Sequence, residues 1–225
     1  MILINEIYPA HQGEGPFIGT PSLFIRTHLC PVKCSWCDTP FTWDGTEEGQ
    51  GISVEDLVSM IQERSNGIRH LVWTGGEPLV QKELPYAIDQ LKSLGYTHEV
   101  ETSAALIPKN FDHWIGCSVR FNLSPKLMSA QPKIKPNADI LRRFYTLTDS
   151  VFKIVVADDL DLHEAVRLIE LIGEVELADI YLMPCGVTRD EVGDRLGWLM
   201  PKALELGYKV TTRMHVTAFG DKRGT

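Results

Sequence analysis

The sequence predicts an α/β fold, a partial (β/α)6 barrel whose sheet is mainly parallel. Six short β-rich runs recur along the chain, and amphipathic stretches with helical spacing separate most of them. The length of 225 residues also falls short of the roughly 250 that a complete eight-fold barrel needs. Strands that alternate with helices form βαβ units with parallel strands and right-handed crossovers. We therefore expect one domain over residues 1–225.

The predicted strands are short apolar runs of the kind that helices cover on both faces. They are expected at residues 23–27, 71–74, 97–101, 119–123, 151–156 and 180–183.

The predicted helices follow from apolar residues at helical intervals. One helix is expected to begin after an N-cap at Ser53. The others are expected over residues 82–94, 139–144, 162–172 and 190–206. Gly173 stands where a C-cap glycine belongs. Pro201 lies inside the last pattern, so we expect a break or a fresh helix start there.

Composition and charge exclude several classes of protein. Hydrophobic residues make up 44% and charged residues 23% of the chain, as in an ordinary globular protein. No apolar run approaches the roughly 18 residues of a membrane span, and the first residues lack the pattern of a signal peptide, so a cytoplasmic protein is expected. The formal charge of −8 disfavours direct binding of nucleic acids.

Three of the five cysteines crowd into eight residues, as Cys30, Cys34 and Cys37. This distribution is not typical of a disulfide framework and indicates a metal or redox site. Structural zinc needs four ligands, and only His28 or Asp38 could supply the fourth. An iron–sulfur cluster held by three thiolates leaves one iron open to a substrate or cofactor. The spacing favours the cluster, with a zinc-stapled binding module as the alternative.

Polar residues follow the predicted strands at their carboxyl ends, where parallel sheets bind ligands. Thr74 to Pro78 reads Thr-Gly-Gly-Glu-Pro, in which the glycines allow close approach and Glu77 could accept hydrogen bonds from an ammonium group. Residues 101–103 and 124–126 end the next two strands on the same rim. Lys153 interrupts an apolar run, either as a site residue or as a lysine that reaches solvent at a strand edge.

Three further positions point to the substrate. Residues 12–15 read Gln-Gly-Glu-Gly, a pattern found in ordinary turns, but Glu14 could also accept the paired donors of a pterin or guanine edge. Arg26 lies among apolar residues and needs a buried anion, either a substrate carboxylate or an internal ion pair. Thr39 follows the last cysteine and either binds Mg²⁺ through its hydroxyl or caps a turn.

Together these motifs resemble a known family. The loop Cys-x3-Cys-x2-Cys, with Trp36 before the last cysteine, is similar to that of the radical S-adenosylmethionine superfamily. The order QGEG, FIR, CDT, TGGEP, ETS and SPK resembles the 7-carboxy-7-deazaguanine synthase family of the queuosine pathway. That resemblance implies a lyase that uses a 4Fe-4S cluster, S-adenosylmethionine and Mg²⁺. It converts 6-carboxy-5,6,7,8-tetrahydropterin to 7-carboxy-7-deazaguanine with loss of ammonia, as a homodimer supplied by a flavodoxin-type electron donor.

The resemblance also implies roles for individual residues. Cys30, Cys34 and Cys37 would hold the cluster, Thr39 would bind Mg²⁺, and Arg26 and Glu14 would join the cysteines in catalysis. The pterin would contact His11, Gln12, Gly13, Glu14, Arg26, Thr74, His215 and Thr225. S-adenosylmethionine would contact Trp36, Cys37, Asp38, Gly76, Glu77, Thr102, Ser124, Pro125, Lys126, Lys153, Met183 and Pro184. Residues 1–20 would form a substrate-binding extension, and residues 208–225 would close the site.

The closest alternative is an activase that installs a glycyl radical on a partner protein, since it shares the cysteine loop and the short barrel. It has no need for a motif that reads a pterin edge. The Gln-Gly-Glu-Gly segment, Arg26 and Thr39 therefore favour the synthase.

Overall fold

A nine-stranded sheet frames the protein, and the computed structural model describes all of residues 1–225. The strands are β1 (Ile2–His11), β2 (Pro21–Thr27), β3 (Gln50–Ile52), β4 (His70–Gly75), β5 (Thr97–Thr102), β6 (Arg120–Leu123), β7 (Asp149–Val156), β8 (Ile180–Pro184) and β9 (Lys209–Val210). Their order across the sheet is β3-β1-β2-β4-β5-β6-β7-β8-β9. Strand β1 is antiparallel to both neighbours, and all other pairs are parallel.

Helices join the parallel strands. They are α1 (Val54–Arg64), α2 (Leu84–Ser93), α3 (Phe111–Gly116), α4 (Ala138–Leu147), α5 (Asp159–Ile172), α6 (Arg189–Leu206) and α7 (Met214–Phe219). The two ends of the sheet, β3 and β9, do not pair with each other, so the barrel stays open. The prediction of an α/β fold with an open, mainly parallel sheet is confirmed. None of the seven helices combines the length and the apolar character that crossing a membrane demands.

Local sequence signals explain where the helices begin and end. The hydroxyl of Ser53 accepts a hydrogen bond from the backbone N–H of Asp56 at 3.1 Å, as the N-cap prediction requires. Gly173 ends α5 with a φ of +97°, a backbone conformation that favours glycine. All six predicted strands coincide with β2 and β4 to β8.

Within the expected N-terminal extension of residues 1–20, residues 2–11 form strand β1 of the sheet. Pro9 makes this strand hard to predict from the sequence. Proline has no backbone N–H to donate within a sheet and is found mainly on edge strands. Here β3 pairs with β1 only at Ile2 to Ile4, so Pro9 has a strand partner on one side alone. Only residues 12–20 remain as a loop before β2.

The predicted break at Pro201 is wrong, because α6 runs without interruption from Arg189 to Leu206. A capping box of Thr188 and Glu191 closes its first turn, and Gly207 closes its last turn in the left-handed conformation. The carbonyl that loses its partner to the proline belongs to Gly197, which is exposed and can be hydrated.

Replacing this proline should stabilise the protein. The proline costs about 3 kcal/mol relative to alanine in a helix interior, and it returns about 1 kcal/mol by restricting the unfolded chain. We therefore expect Pro201→Ala to raise the free energy of unfolding by about 2 kcal/mol, which is the difference between these two effects. Urea denaturation measures this change. Its exposed neighbour in α6 provides the control Met200→Ala, which should change little. A loss of stability in Pro201→Ala would contradict this account.

Candidate active site

A cavity of about 720 Å³ opens at the carboxyl ends of the parallel strands. It brings together sequence-predicted residues from the N-terminal loop, the cysteine loop, strands β2, β4, β5, β7 and β8 or the turns that follow them, the loop after β6, and the C-terminal segment. Two predicted residues do not reach it. Pro125 and Pro184 are buried but do not line the cavity, so their direct contact with a cofactor is not supported.

The cysteine loop presents three free thiols to this cavity, from Cys30, Cys34 and Cys37. Positive φ values at Leu29 and Lys33 bend the loop. The three sulfur atoms do not all lie within 4.8 Å of one another. Two thiolates on one zinc ion can be at most about 4.6 Å apart, because each Zn–S bond is about 2.3 Å. The donor set therefore fits a multi-iron cluster better than a single zinc ion.

The loop of residues 124–137 supports the cysteine loop from below. The backbone N–H of Ser35 donates to the carbonyl of Ala130 at 2.8 Å, and that of Lys133 donates to Val32 at 2.7 Å. Ala130 is fully buried in this contact. These two bonds join the cysteine loop to the segment after β6.

An indole also faces the last cysteine. The Trp43 Nε1 donates to the sulfur of Cys37 at 3.5 Å, and the Thr39 hydroxyl lies 3.7 Å from the same sulfur. Thr39 Oγ1 is 3.5 Å from the carbonyl oxygen of Gly75 and lines the cavity. Trp43 and Thr39 thus both lie beside the last sulfur of the cysteine loop.

Gly75 and Gly76 make room for the chain itself. A Cβ on Gly75 would collide with the backbone of Thr27, and one on Gly76 with the carbonyl of Leu29. The N–H of Gly76 donates to Thr27 at 3.0 Å and that of Glu77 to Leu29 at 2.8 Å. The glycines thus lock the end of β4 against the chain that leads into the cysteine loop, a role that the sequence analysis did not assign to them.

The carboxylate of Glu77 is already saturated with hydrogen bonds. It accepts from the N–H of Leu79 at 3.2 Å, the hydroxyl of Thr102 at 2.6 Å, and both the N–H and the hydroxyl of Ser103. Glu77 is 1% exposed. This arrangement assigns the Glu77 and Thr102 side chains to joining the ends of β4 and β5, and leaves no Glu77 lone pair for the ammonium group that the sequence analysis placed there.

Buried ion pairs connect the N-terminal loop to the barrel. Lys153 Nζ lies 2.6 Å from Glu14 Oε2 and 2.7 Å from Glu101 Oε2, with its side chain 4% exposed. Lys153 therefore points into the site, and the alternative of a lysine reaching solvent is wrong. Burial alone would raise the pKa of Glu14, but Lys153 and Arg213 outweigh burial and lower that pKa. Glu14 is an anion held between two cations.

Arg213 ties three segments to one another, although the sequence analysis passed over it. Its Nε donates to Glu14 at 3.1 Å, its Nη1 to the carbonyl of Gly186 at 2.6 Å, and its Nη2 to Asp38. The sequence signal was weak: a basic residue two positions before His215, in a segment expected to close the site. Met214 N–H donates to the carbonyl of Gly13 at 2.8 Å.

The C-terminal segment leaves no room at Gly13, where a Cβ would collide with the ring of His215. Burial lowers the pKa of His215, and its Nε2 lies 3.9 Å from Glu14 Oε1. His11 and Thr225 line the same cavity. Residues 213–225 therefore form one of its walls.

Of the two alternatives for Arg26, the structure shows the internal ion pair and leaves one donor free. Its Nε donates to Glu6 at 2.8 Å and its Nη2 donates to the hydroxyl of Tyr8 at 2.7 Å. Its Nη1 makes no hydrogen bond within the protein, and the side chain borders the cavity with 13% exposure. Arg26 is thus oriented by Glu6 and retains a donor for a bound anion.

Other predicted site residues also line the cavity. Lys126 Nζ donates to the hydroxyl of Ser124 at 2.8 Å, and Trp36, Asp38, Thr74 and Met183 also face the cavity.

A buried polar layer below these groups was not foreseen from the sequence. Gln12 Nε2 donates to Glu99 and, at 3.4 Å, to Glu101, while Gln12 Oε1 accepts from the N–H of Glu14 at 3.2 Å. Asn122 Nδ2 donates to Glu101 at 2.9 Å. Glu99 is fully buried. Alternation along β5 places Glu99 on the same face as Glu101, which is the one signal that could have found it.

The comparisons with known proteins agree with this geometry. Residues 24–199 match the Radical SAM superfamily. The chain is 33% identical to the 7-carboxy-7-deazaguanine synthase of Rhodopirellula baltica, with 100% of this chain and 89% of the relative covered. It is 34% identical to the enzyme of the same name from Pyrobaculum aerophilum, with 99% and 97% covered.

Solved structures give the same picture. The crystal structure of QueE from Escherichia coli superposes with a TM-score of 0.74 at 26% identity, covering 95% of this chain and 94% of that chain. Streptococcus suis SuiB bound to S-adenosylmethionine shares the fold alone, with a TM-score of 0.59 at 14% identity over 84% of this chain and 49% of that chain. The chain belongs to the radical SAM superfamily and, within it, to the 7-carboxy-7-deazaguanine synthase family.

Proposed function

We propose that this protein is a 7-carboxy-7-deazaguanine synthase that contracts the ring of 6-carboxy-5,6,7,8-tetrahydropterin with release of ammonia. The observation that carries this proposal is the meeting of three cluster-type cysteines and a buried Glu14 and Arg26 in one cavity. The relatives of the same name match over nearly the whole chain. A glycyl-radical activase has no use for these buried groups.

The cysteines would hold a 4Fe-4S cluster, and S-adenosylmethionine would bind beside it along Trp36, Asp38, Gly76, Ser124, Lys126 and Met183. Bound together, the two cofactors supply one-electron chemistry that produces a carbon radical. The protein supplies position and exclusion of water. Gly76 and Cys30 belong to segments locked to each other through backbone hydrogen bonds, so both cofactors would rest on one rigid rim.

The pterin would lie between Arg26 and Glu14. The free Nη1 of Arg26 suits the substrate carboxylate, because a guanidinium binds carboxylates through directed donors. Each oxygen of Glu14 already accepts one hydrogen bond and keeps a lone pair for the amino and ring N–H donors of the pterin. Since Lys153 and Arg213 keep Glu14 ionised, Glu14 orients the ring without taking its protons.

The further partners are also part of the proposal. Thr39 would bind Mg²⁺, with the remaining positions filled by water and substrate oxygens, as this ion prefers. A flavodoxin-type protein would deliver electrons, and the enzyme would act as a homodimer. Three thiols kept free for a cluster favour a reducing compartment, so we assign the enzyme to the cytoplasm.

The deciding experiment is anaerobic turnover of the reconstituted enzyme with S-adenosylmethionine, reductant, Mg²⁺ and the carboxypterin. Mass spectrometry should detect 7-carboxy-7-deazaguanine and released ammonia. Intact carboxypterin, with the enzyme fully loaded with cluster, would refute the assignment and favour the activase.

Removing the guanidinium of Arg26 should weaken substrate binding. A hydrogen bond to a charged group contributes about 1.5–3 kcal/mol, so Arg26→Gln should raise KM for the carboxypterin roughly 10- to 100-fold. Steady-state kinetics measures this. Arg120→Gln is the matched control, because Arg120 pairs with Asp149 outside the cavity. An unchanged KM in Arg26→Gln would remove Arg26 from the substrate site.

Thr39 is tested through magnesium. Thr39→Ala should abolish the stimulation of turnover by Mg²⁺, because the hydroxyl is its proposed protein ligand. Thr39→Ser keeps the hydroxyl and should keep the stimulation. Full stimulation in the alanine variant would show that Mg²⁺ binds elsewhere.

A further inference from the structure

Glu99 is a carboxyl group without enough partners to be charged. It is 0% exposed, and its Oε1 accepts a hydrogen bond from Gln12 Nε2. Its Oε2 has no hydrogen-bond partner. An ionised carboxylate so deeply buried with one empty oxygen would carry a large desolvation cost.

The charges around Glu99 also favour its neutral form. The cations nearest to Glu99 are Lys153 on β7, Arg213 after β9 and Arg120 opposite Glu99 on β6. Lys153 and Arg213 are already paired with Glu14, Glu101 and Asp38, and Arg120 is paired with Asp149. An ionised Glu99 would add a further anion to a set in which every cation already has a partner. Burial and the charge of Glu101 raise the pKa of Glu99 to about 8.

A second buried acceptor without a donor lies near Glu99. Asn122 directs its Nδ2 to Glu101, and its buried Oδ1 has no donor. Asn122 pairs with Glu101 across β5 and β6, which places it on the same face as Glu99, two residues along the strand. One proton shared by Glu99 Oε2 and Asn122 Oδ1 would satisfy both acceptors.

We propose that Glu99 is a positioning residue, held as a neutral carboxylic acid that donates toward Asn122 Oδ1 and orients Gln12 for substrate binding. Gln12 transmits this orientation to Glu14, because Gln12 Oε1 accepts a hydrogen bond from the backbone N–H of Glu14. Ionisation of Glu99 would draw Gln12 and Lys153 away from Glu14 and add a negative charge below an anionic substrate. This role rests on the proposed function, since the carboxypterin is the ligand that Glu14 would orient.

The test is equilibrium binding of the carboxypterin to the anaerobic holoenzyme with S-adenosylmethionine and no reductant, measured by calorimetry against pH. If only the neutral form binds, the fraction competent falls about tenfold from pH 7 to pH 9 for a pKa of about 8, and Kd rises by that factor. Glu99→Gln imitates the neutral acid, so its Kd relative to wild type should fall about tenfold over this range. The ratio of the two Kd values at each pH cancels any effect of ligand ionisation, because both proteins bind the same ligand.

Glu170→Gln is the matched control, because Glu170 is an exposed carboxylate on α5. It should show the pH dependence of the wild type. A ratio of Glu99→Gln to wild type that stays constant between pH 7 and pH 9 would overturn the proposal.

Infrared difference spectroscopy tests the proton without any ligand. The wild-type protein at pH 7 should show the C=O stretch of a protonated carboxyl that Glu99→Gln lacks and that fades as the pH rises through about 8. Absence of this band would refute the neutral Glu99 even where the carboxypterin is converted. A protein that shows the band but yields no deazaguanine would refute the proposed function instead.

The pH dependence of the free energy of unfolding provides a third test. Between the ordinary pKa of 4.5 and about 8, the folded protein keeps a proton that the unfolded chain has lost. The free energy of unfolding should therefore decrease as the pH rises through this window, and Glu99→Gln should lack that decrease. Equal slopes in the two proteins would contradict a raised pKa at Glu99.

Discussion

The contact of Glu14 with Lys153 and Arg213 is the constraint on which the site depends. Glu14 comes from the loop after β1, Lys153 from the middle of β7, and Arg213 from the segment after β9. A carboxylate that is largely buried depends on its partners for stability, and breaking such a pair leaves an unpaired charge mostly shielded from water. These ion pairs therefore fix the N-terminal loop, the barrel and the C-terminal wall in a single arrangement.

Rigidity at the rim formed by the ends of β2, β4 and β5 has a different source, namely backbone hydrogen bonds and saturated polar groups. The ends of β2 and β4 are joined through glycines that leave no space for a side chain, and Glu77 joins the ends of β4 and β5. Such a rim needs no reorganisation when a ligand arrives. The cavity thus combines a wall of ion pairs around Glu14 with a rim held by backbone hydrogen bonds and by the fully hydrogen-bonded Glu77 carboxylate.

Local patterns determine much of what the sequence could predict. The six central strands, the cap at Ser53 and the cluster-type spacing of the cysteines depend on neighbouring residues, so they could be predicted. Strand β1 could not, because Pro9 is tolerated only through the absence of a partner on one side, which is a property of the sheet. The same holds for Pro201, whose cost is accepted by a helix stabilised at both ends.

The same distinction between local pattern and distant surroundings applies to the site residues. A motif identifies Glu14 and Arg26 as groups that need partners, but their partners come from residues far away in the chain. Arg213 and Glu99 sit in segments without a motif, and their importance arises from what surrounds them: Arg213 from three separate segments, and Glu99 from a missing donor. Saturation of Glu77 is likewise visible only once β5 lies beside it.

The bond between Glu14 and Arg213 spans 199 positions of the chain. During synthesis, a ribosome would release the cysteine loop and the inner strands long before the segment that completes the cavity. Until Arg213 emerges, Glu14 lacks one of its two cations and this side of the cavity stands open. A chain stalled late in translation would thus carry thiols ready for iron but no closed chamber around them, so correct loading with the cluster should belong to the finished polypeptide.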